Sequence, residues 1–358
     1  MPDEAANIEP TLPDGEIVVG PWRLLLPRVY GFCGGVRHAL HALEDALHRH
    51  PERQVWLLGD IIHNDTVNER FRRLGVRILE NDHIDTGWTR ASPEDLLVIP
   101  AFGLPLEVEQ RVRESGLRPE QIVDTTCAYV KRVWTFVQDA AAQQRTILFH
   151  GTPGHPETRA TLSRALTPQN AAILIPDPVA AEKVAAAIRL GSLADLTGCD
   201  VRNRDRVDLR RLAIANQTTM LCAETRAIEN LVAAAVKAVG GDLRRAETLC
   251  RATQQRQDAA LALCRRGCDL VLVLGGFASS NTTQLYRLAA RHCPAYFIRN
   301  ADAFTRHTIE HFRPETGKVE NTSDWLPTLP GRIGLLAGAS CPPDDVRAAV
   351  RKLQDILG

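Results

Sequence analysis

Three cysteines stand where an extended apolar stretch gives way to a helical pattern. Cys33 lies in Gly31-Phe32-Cys33-Gly34-Gly35, Cys127 in Ile122-Val123-Asp124-Thr125-Thr126-Cys127, and Cys250 in Glu247-Thr248-Leu249-Cys250. Helices are expected to follow, over 128–142 and 251–265 in the second and third cases. The partial positive charge and open N–H groups of a helix N-terminus favour a thiolate, the form that binds metal. Spacings of about 100 residues match one small domain each. Three similar α/β units could therefore bring three thiolates to one centre. The chain has nine cysteines, an odd number, with no CxxC pair and no secretion signal. A disulfide framework, a zinc ribbon and a thioredoxin-like site are all disfavoured.

A second recurring unit is a strand, a glycine and a polar cluster that opens a helix. It appears as His150-Gly151-Thr152-Pro153-Gly154-His155-Pro156-Glu157, as Gly275-Gly276-Phe277-Ala278-Ser279-Ser280-Asn281-Thr282, and as Ala337-Gly338-Ala339-Ser340-Cys341-Pro342. Glycine admits a ligand close to the backbone, Ser and Asn cap helices, and Pro suits a first turn. Helix N-termini at the carboxyl ends of strands are anion sites, so a phosphate-sized anion is expected there. None of these loops is a Walker A or GxGxxG motif, which disfavours a nucleotide. His63, in Gly59-Asp60-Ile61-Ile62-His63-Asn64, also follows a strand, and Asn216-Gln217-Thr218-Thr219 is a further polar loop.

The elements that must position these residues alternate. Apolar runs at 23–30, 55–58, 96–99, 146–149, 171–175, 212–215, 270–274, 295–298 and 333–336 read as strands. Amphipathic helices lie between them, the first with Val36, Leu40, Leu43 and Leu47 on one face. This is an α/β pattern with mostly parallel sheets. Its 358 residues are enough for two or three domains. Lys+Arg and Asp+Glu both number 43, so no basic field invites nucleic acid. No apolar run reaches the roughly 18–20 residues that span a bilayer. The first 22 residues hold Asp3, Glu4, Glu9, Asp14, Glu16 and four prolines. They read as a disordered acidic tail, unlike a signal or transit peptide. A cytoplasmic enzyme is expected.

Taken in order, the motifs resemble the 4-hydroxy-3-methylbut-2-enyl diphosphate reductase family. The carriers are GFCGGV, IIHN, DTTC, HGTPGHPET, ANQTTM, LCRATQQRQ, GGFASSNT, DWLP and AGAS. The resemblance implies a trefoil of three small α/β units around a central iron–sulfur cluster. Its borders would fall at 1–22 for the tail, 23–126, 127–246 and 247–340 for the units, and 341–358 for a C-terminal helix. It implies a [4Fe–4S] cluster on Cys33, Cys127 and Cys250 with one open iron. A small allylic diphosphate would be bound by His63, His155, Thr218, Ser279, Ser280, Asn281 and Ser340. Glu157 and Thr218 would be the catalytic pair that delivers a proton. An external electron donor of ferredoxin or flavodoxin type would serve the cluster, and neither nucleic acid nor membrane would be a partner. Where many bacterial members carry Ala-His-Gly, this chain has Ala101-Phe102-Gly103, as in the plant and cyanobacterial branch. Gly34 and Ala128 stand where that branch more often has Trp and Pro. The alternatives are a paralogous iron–sulfur reductase acting on another allylic or prenyl-type substrate, and a non-catalytic redox-sensing cluster protein.

Overall fold

The computed structural model describes residues 15–80, 83, 84, 86–194, 196, 199–327 and 331–358. A short hairpin, β1 (Glu16–Val19) and β2 (Trp22–Leu25), leads into helix α1 (Gly34–Arg49). Then come β3 (Val55–Leu57), α2 (Asp65–Arg73), β4 (Arg77–Ile78), β5 (Leu96–Ile99), α3 (Leu106–Arg113) and β6 (Ile122–Asp124). Strands β3 to β6 form a wholly parallel sheet in the order β4-β3-β5-β6. Next are α4 (Ala128–Ala142), β7 (Thr146–His150), α5 (Pro156–Arg164), β8 (Ala172–Ile175), α6 (Pro178–Leu190) and β9 (Asp200–Arg202). With β10 (Arg211–Asn216), α7 (Cys222–Ala238) and β11 (Asp242–Arg245) they make a sheet ordered β11-β10-β7-β8-β9. The chain ends with α8 (Arg251–Cys264), β12 (Leu270–Leu274), α9 (Ser280–Ala290), β13 (Ala295–Ile298), β14 (Thr308–Arg313), β15 (Lys318–Ser323), β16 (Arg332–Ala337) and α10 (Pro343–Leu357). Its sheet has the order β1-β2-β16-β12-β13-β14-β15. Mixed α/β with three parallel-rich sheets is the expected class.

These strands form where they do because central parallel strands are buried on both faces and need continuous apolar runs. All five residues of Leu270–Leu274 are buried. In the middle sheet Leu148, Ile173 and Ile214 face α6 and α7. Ile147, Phe149 and Ala215 face Val133 and Val137 of α4 and Leu162 of α5. Helices are set by their ends as well. Asp177 accepts from the Ala180 N–H at 2.8 Å and caps α6, while Gly191 closes it at φ +65.

Two borders differ from the sequence reading. The expected tail over 1–22 contains ordered strand, because Glu16 to Val19 pair antiparallel with Leu25 to Trp22; residues 1–14 lie outside the described ones. The strand expected over 23–30 stops at Leu25, and it belongs to the last sheet. Arg23 registers with Arg332 and Leu24 with Ile333, in parallel. The C-terminal helix expected over 341–358 is α10, whose Val346, Ala349, Val350 and Leu353 pack on Leu24, Leu272 and Leu335 of the last sheet. The described residues divide into two compact units. One holds 15–34, 63–65 and 251–358, and the other 35–62 and 66–250.

Candidate functional site

In the second of these units, β7 and β10 are parallel neighbours, with His150 level with Asn216. Their carboxyl ends therefore release two loops side by side, the place where open α/β sheets bind ligands. One loop runs into α5. There His155 is the N-cap, and its Nδ1 accepts from the Glu157 N–H at 3.2 Å. An accepting Nδ1 leaves the proton of a neutral imidazole on Nε2, so the ring can donate from that side. Pro156 fills the first helical position, where no N–H is needed. Gln217 ties the two loops, its Oε1 accepting from Thr152 N–H at 2.9 Å and from Thr158 Oγ1 at 3.1 Å.

Glu157 is 2% exposed. Its Oε1 accepts from the Thr218 N–H at 2.6 Å, and its Oε2 lies 2.9 Å from Thr218 Oγ1. Burial pushes the Glu157 carboxyl up to about 7, against the Thr218 bonds, which pull it down. It is thus an acid poised near neutrality. The Thr218 carbonyl in turn accepts from the Cys250 N–H at 3.3 Å, so the same residue braces one sequence-chosen cysteine and the sequence-chosen acid.

Cys127 is braced differently. It precedes α4 and its N–H donates to the Ala101 carbonyl at 3.0 Å. The next residue, Phe102, meets the His155 ring edge-on with centroids 5.9 Å apart. Gly103 follows at φ +75, and a Cβ there would collide with the Trp134 ring. Beneath that ring the Arg164 guanidinium stacks at 3.5 Å, donates to the Leu104 carbonyl at 2.5 Å, and pairs with Glu109. Loop 101–104 is therefore held from below by a buried cation. Glu109→Ala leaves that cation without its carboxylate. We expect a loss of about 3–5 kcal/mol of stability, read from denaturant unfolding. A loss within about 1 kcal/mol, the range of an exposed pair, would show that the pair contributes little.

In the first unit, β12 and β16 are parallel neighbours, with Leu274 level with Ala337. Their carboxyl ends carry the other two glycine loops. Ser279 caps α9, and Ser280 begins it. Asn281 is 3% exposed. Its Oδ1 accepts from the Ala339 N–H at 3.0 Å, which fixes the amide, and its buried Nδ2 has no hydrogen-bond partner among the described residues. A buried donor left over costs roughly 1–3 kcal/mol, so a ligand acceptor is the expected complement. Ser340 Oγ lies 3.2 Å from the His63 carbonyl, and Asn64 Nδ2 donates to the Ser340 carbonyl at 3.0 Å. A Cβ on Gly276 would overlap that His63 carbonyl, so glycine is required for the close approach. Burial alone lowers the His63 imidazole to about 4, so it is neutral at pH 7. The Cys33 N–H donates to the Ala339 carbonyl at 3.1 Å, and Arg256 donates to the Gly31 carbonyl at 2.6 Å.

The sequence-chosen residues thus fall into two sets. Cys127, His155, Glu157, Thr218 and Cys250 lie in one unit, and Cys33, His63, Ser279, Ser280, Asn281 and Ser340 in the other. The sequence pattern does not single out Asn64, Gln217, Trp134 or Arg164. Asn64 and Gln217 stand inside quoted motifs, which was their only signal. Trp134 and Arg164 had none, since their contacts join distant segments. Among the described residues no three His, Cys, Asp or Glu side chains are gathered to hold one metal ion. A single ion needs every ligand within about 2.0–2.3 Å, whereas the thiolates of a cluster are spread over several irons. Cys33, Cys127 and Cys250 are half-buried thiols, each next to a helix start. Thiolates at such positions are the ligand chemistry that an iron–sulfur cluster takes.

Comparison with known proteins bears on the whole chain. The 4-hydroxy-3-methylbut-2-enyl diphosphate reductase of Synechococcus sp. is 33% identical over 94% of this chain and 86% of its own. The one from Thermosynechococcus vestitus is 35% identical over 93% and 85%, and the chloroplastic one of Botryococcus braunii 34% over 93% and 70%. A solved (E)-4-hydroxy-3-methyl-but-2-enyl diphosphate reductase, titled the terminal enzyme of the non-mevalonate pathway, superimposes with a TM-score of 0.57 at 25% identity, covering 93% of this chain and 99% of its own. The fold is shared also with the Plasmodium falciparum E-1-hydroxy-2-methyl-but-2-enyl-4-diphosphate reductase, at a TM-score of 0.67, 21% identity, 92% of this chain and 87% of that one. The model of the LytB protein family matches residues 24–354, and the chain belongs to that family.

Proposed function

We propose that this chain reduces (E)-4-hydroxy-3-methylbut-2-enyl diphosphate to isopentenyl and dimethylallyl diphosphate, the last step of the methylerythritol phosphate route to isoprenoids, in the cytoplasm. Two electrons and two protons enter, the allylic C–O bond breaks, and water leaves. The observation that carries the reading is a buried carboxylic acid poised near pH 7 on a hydroxyl, in a chain whose relatives bear that enzyme's name. Cys33, Cys127 and Cys250 would hold a [4Fe–4S] cluster with one open iron, which when bound supplies single electrons and a Lewis acid. A ferredoxin- or flavodoxin-type carrier would reduce it.

The chain's own residues do the rest. Hydroxide is a poor leaving group, so the departing oxygen must be protonated. The Thr218 N–H can only donate, which makes Glu157 Oε1 an acceptor and leaves Oε2 to carry the acidic proton. Oε2 faces Thr218 Oγ1, whose own proton can pass onward as Glu157 replaces it. His63, His155, Ser279, Ser280, Asn281 and Ser340 bind the diphosphate with neutral donors and helix N-termini.

The direct test is anaerobic turnover of the allylic diphosphate by reconstituted protein with a chemical reductant. Formation of the two five-carbon diphosphates is expected. A loaded protein that leaves the substrate unchanged, yet reduces another prenyl-type alcohol, would overturn the reading. For the anion pocket, Asn281→Ala should raise KM about ten- to a hundredfold, because a hydrogen bond to a charged group contributes roughly 1.5–3 kcal/mol. An unchanged KM would remove Asn281 from the substrate's contacts.

A further inference from the structure

Thr282 lies where the two glycine loops of the β12–β16 edge converge, and it is fully buried. A Cβ on Gly275 or on Gly338 would run into its hydroxyl, so both loops close onto this one side chain. The hydroxyl does not face the neighbouring strands for nothing: Thr282 Oγ1 donates to Ser279 Oγ at 2.9 Å. The Thr282 N–H donates to the same oxygen at 3.3 Å, as an N-cap requires.

A serine hydroxyl has two lone pairs and one proton. Thr282 engages both lone pairs of Ser279, so the Ser279 proton must point away from the helix. Ser340 Oγ is 3.4 Å from Ser279 Oγ and 3.2 Å from the His63 carbonyl. Ser340 has one proton as well, which the His63 carbonyl can take. With the Ser340 proton on that carbonyl, the Ser279 proton is left for a ligand. An ordinary N-cap serine has only the backbone N–H to accept, and its proton is free to turn inward. The second bond from Thr282 removes that freedom.

We infer that Thr282 is a positioning residue for the diphosphate: it locks Ser279 as a hydrogen-bond donor to an entering phosphoryl oxygen, beside the spare Nδ2 of Asn281. The inference rests on the proposed anion pocket and adds to it a residue that touches no ligand itself. Pre-orienting the donor lowers the ordering cost of binding and leaves the chemical step alone.

The test compares Thr282→Val, which keeps the shape and removes the hydroxyl, with Thr282→Ser, which keeps the hydroxyl. Both are made as anaerobically reconstituted holoenzyme and titrated with inorganic diphosphate. Thr282→Val should bind it about tenfold more weakly, the size of one hydrogen bond's net contribution, and show a similar rise in KM with kcat within about twofold. Thr282→Ser should bind as wild type. In a Ser279→Ala background, Thr282→Val should cost no further affinity, since the hydroxyl it orients is gone. Wild-type affinity in Thr282→Val, or an equal loss with and without Ser279, would overturn the assignment while leaving the reductase reading intact. If the wild type itself fails to bind inorganic diphosphate, the anion pocket falls and this role falls with it. Should Thr282→Val fail to fold, the same cycle with Thr282→Ala and Ser279→Ala decides between the same outcomes.

Discussion

Glu157→Gln is expected to lower kcat by at least about a hundredfold, within the 10²–10⁴-fold that general acid catalysis contributes, with KM and cluster absorption near wild type. The glutamine can still accept from the Thr218 N–H, so the fold of the loop survives. What it lacks is a proton to release. Because burial holds the Glu157 acid near 7, the wild-type kcat should fall as pH rises through about 7, where the carboxyl ionises. The residual activity of the variant should not follow that profile. Stability gives an independent sign. Folding raises this carboxyl's pKa, so between about 4.5 and about 7 the folded chain holds a proton that the unfolded chain has released. Stability from this group is complete below about 4.5 and is lost as pH rises through about 7. Glu157→Gln removes that loss, so at pH 8 the variant should be no less stable than wild type. A purely structural carboxylate would show the reverse, with poor folding and an unaltered kcat in whatever protein folds. Wild-type turnover in a loaded variant would leave solvent as the proton source.

The parts of the fold that could be read from the sequence share a physical cause. Leu96–Ile99, Leu270–Leu274 and Ala295–Ile298 match their observed strands because strands packed between helices need unbroken apolar runs. The start of α5 after His155 could be read from Gly154, Pro156 and the capping residue, whereas α4 begins after Cys127 without a side-chain cap. The hairpin β14–β15 could not. Its second strand, Lys318–Ser323, is almost wholly exposed at a sheet edge and has no apolar pattern to display. Nor could the sheet membership of β2, which depends on pairing with β16 more than 300 residues away. The same distinction governs the candidate site. Ser279 and His155 announce themselves as the residues before a helix. Asn64 on Ser340, Trp134 under Gly103 and Arg164 on Leu104 are contacts between segments far apart in sequence, which no local pattern encodes.

Cys33→Ser, Cys127→Ser and Cys250→Ser should each lose iron, sulfide and the cluster's visible absorption after anaerobic reconstitution. The loss should exceed the about 10–100-fold that changes to a metal site's outer partners cost. Serine offers a harder oxygen that stays protonated at neutral pH, so it cannot replace a thiolate on iron. The remaining six cysteines are unsuited for a different reason. Burial pushes the Cys268 thiol up to about 12 and the Cys293 thiol up to about 11, in each case with help from neighbouring thiols. Cys199 and Cys264 are raised by burial too, and Cys341, fully buried, is raised well above the usual thiol range. Cys222 is 3% exposed within α7. Thiols held protonated bind metal poorly, because coordination must first expel the proton. Serine at any of these six should therefore leave iron content and turnover unchanged in protein that folds. The braces around the three proposed ligands make a graded control. Cys250 leans on the Thr218 carbonyl, Cys127 on that of Ala101 and Cys33 on that of Ala339, all through backbone N–H groups that serine retains. The serine variants should thus keep their local backbone, and their loss of iron would report on the sulfur alone. A full cluster in Cys33→Ser, or its loss in Cys268→Ser with the fold intact, would break the ligand assignment.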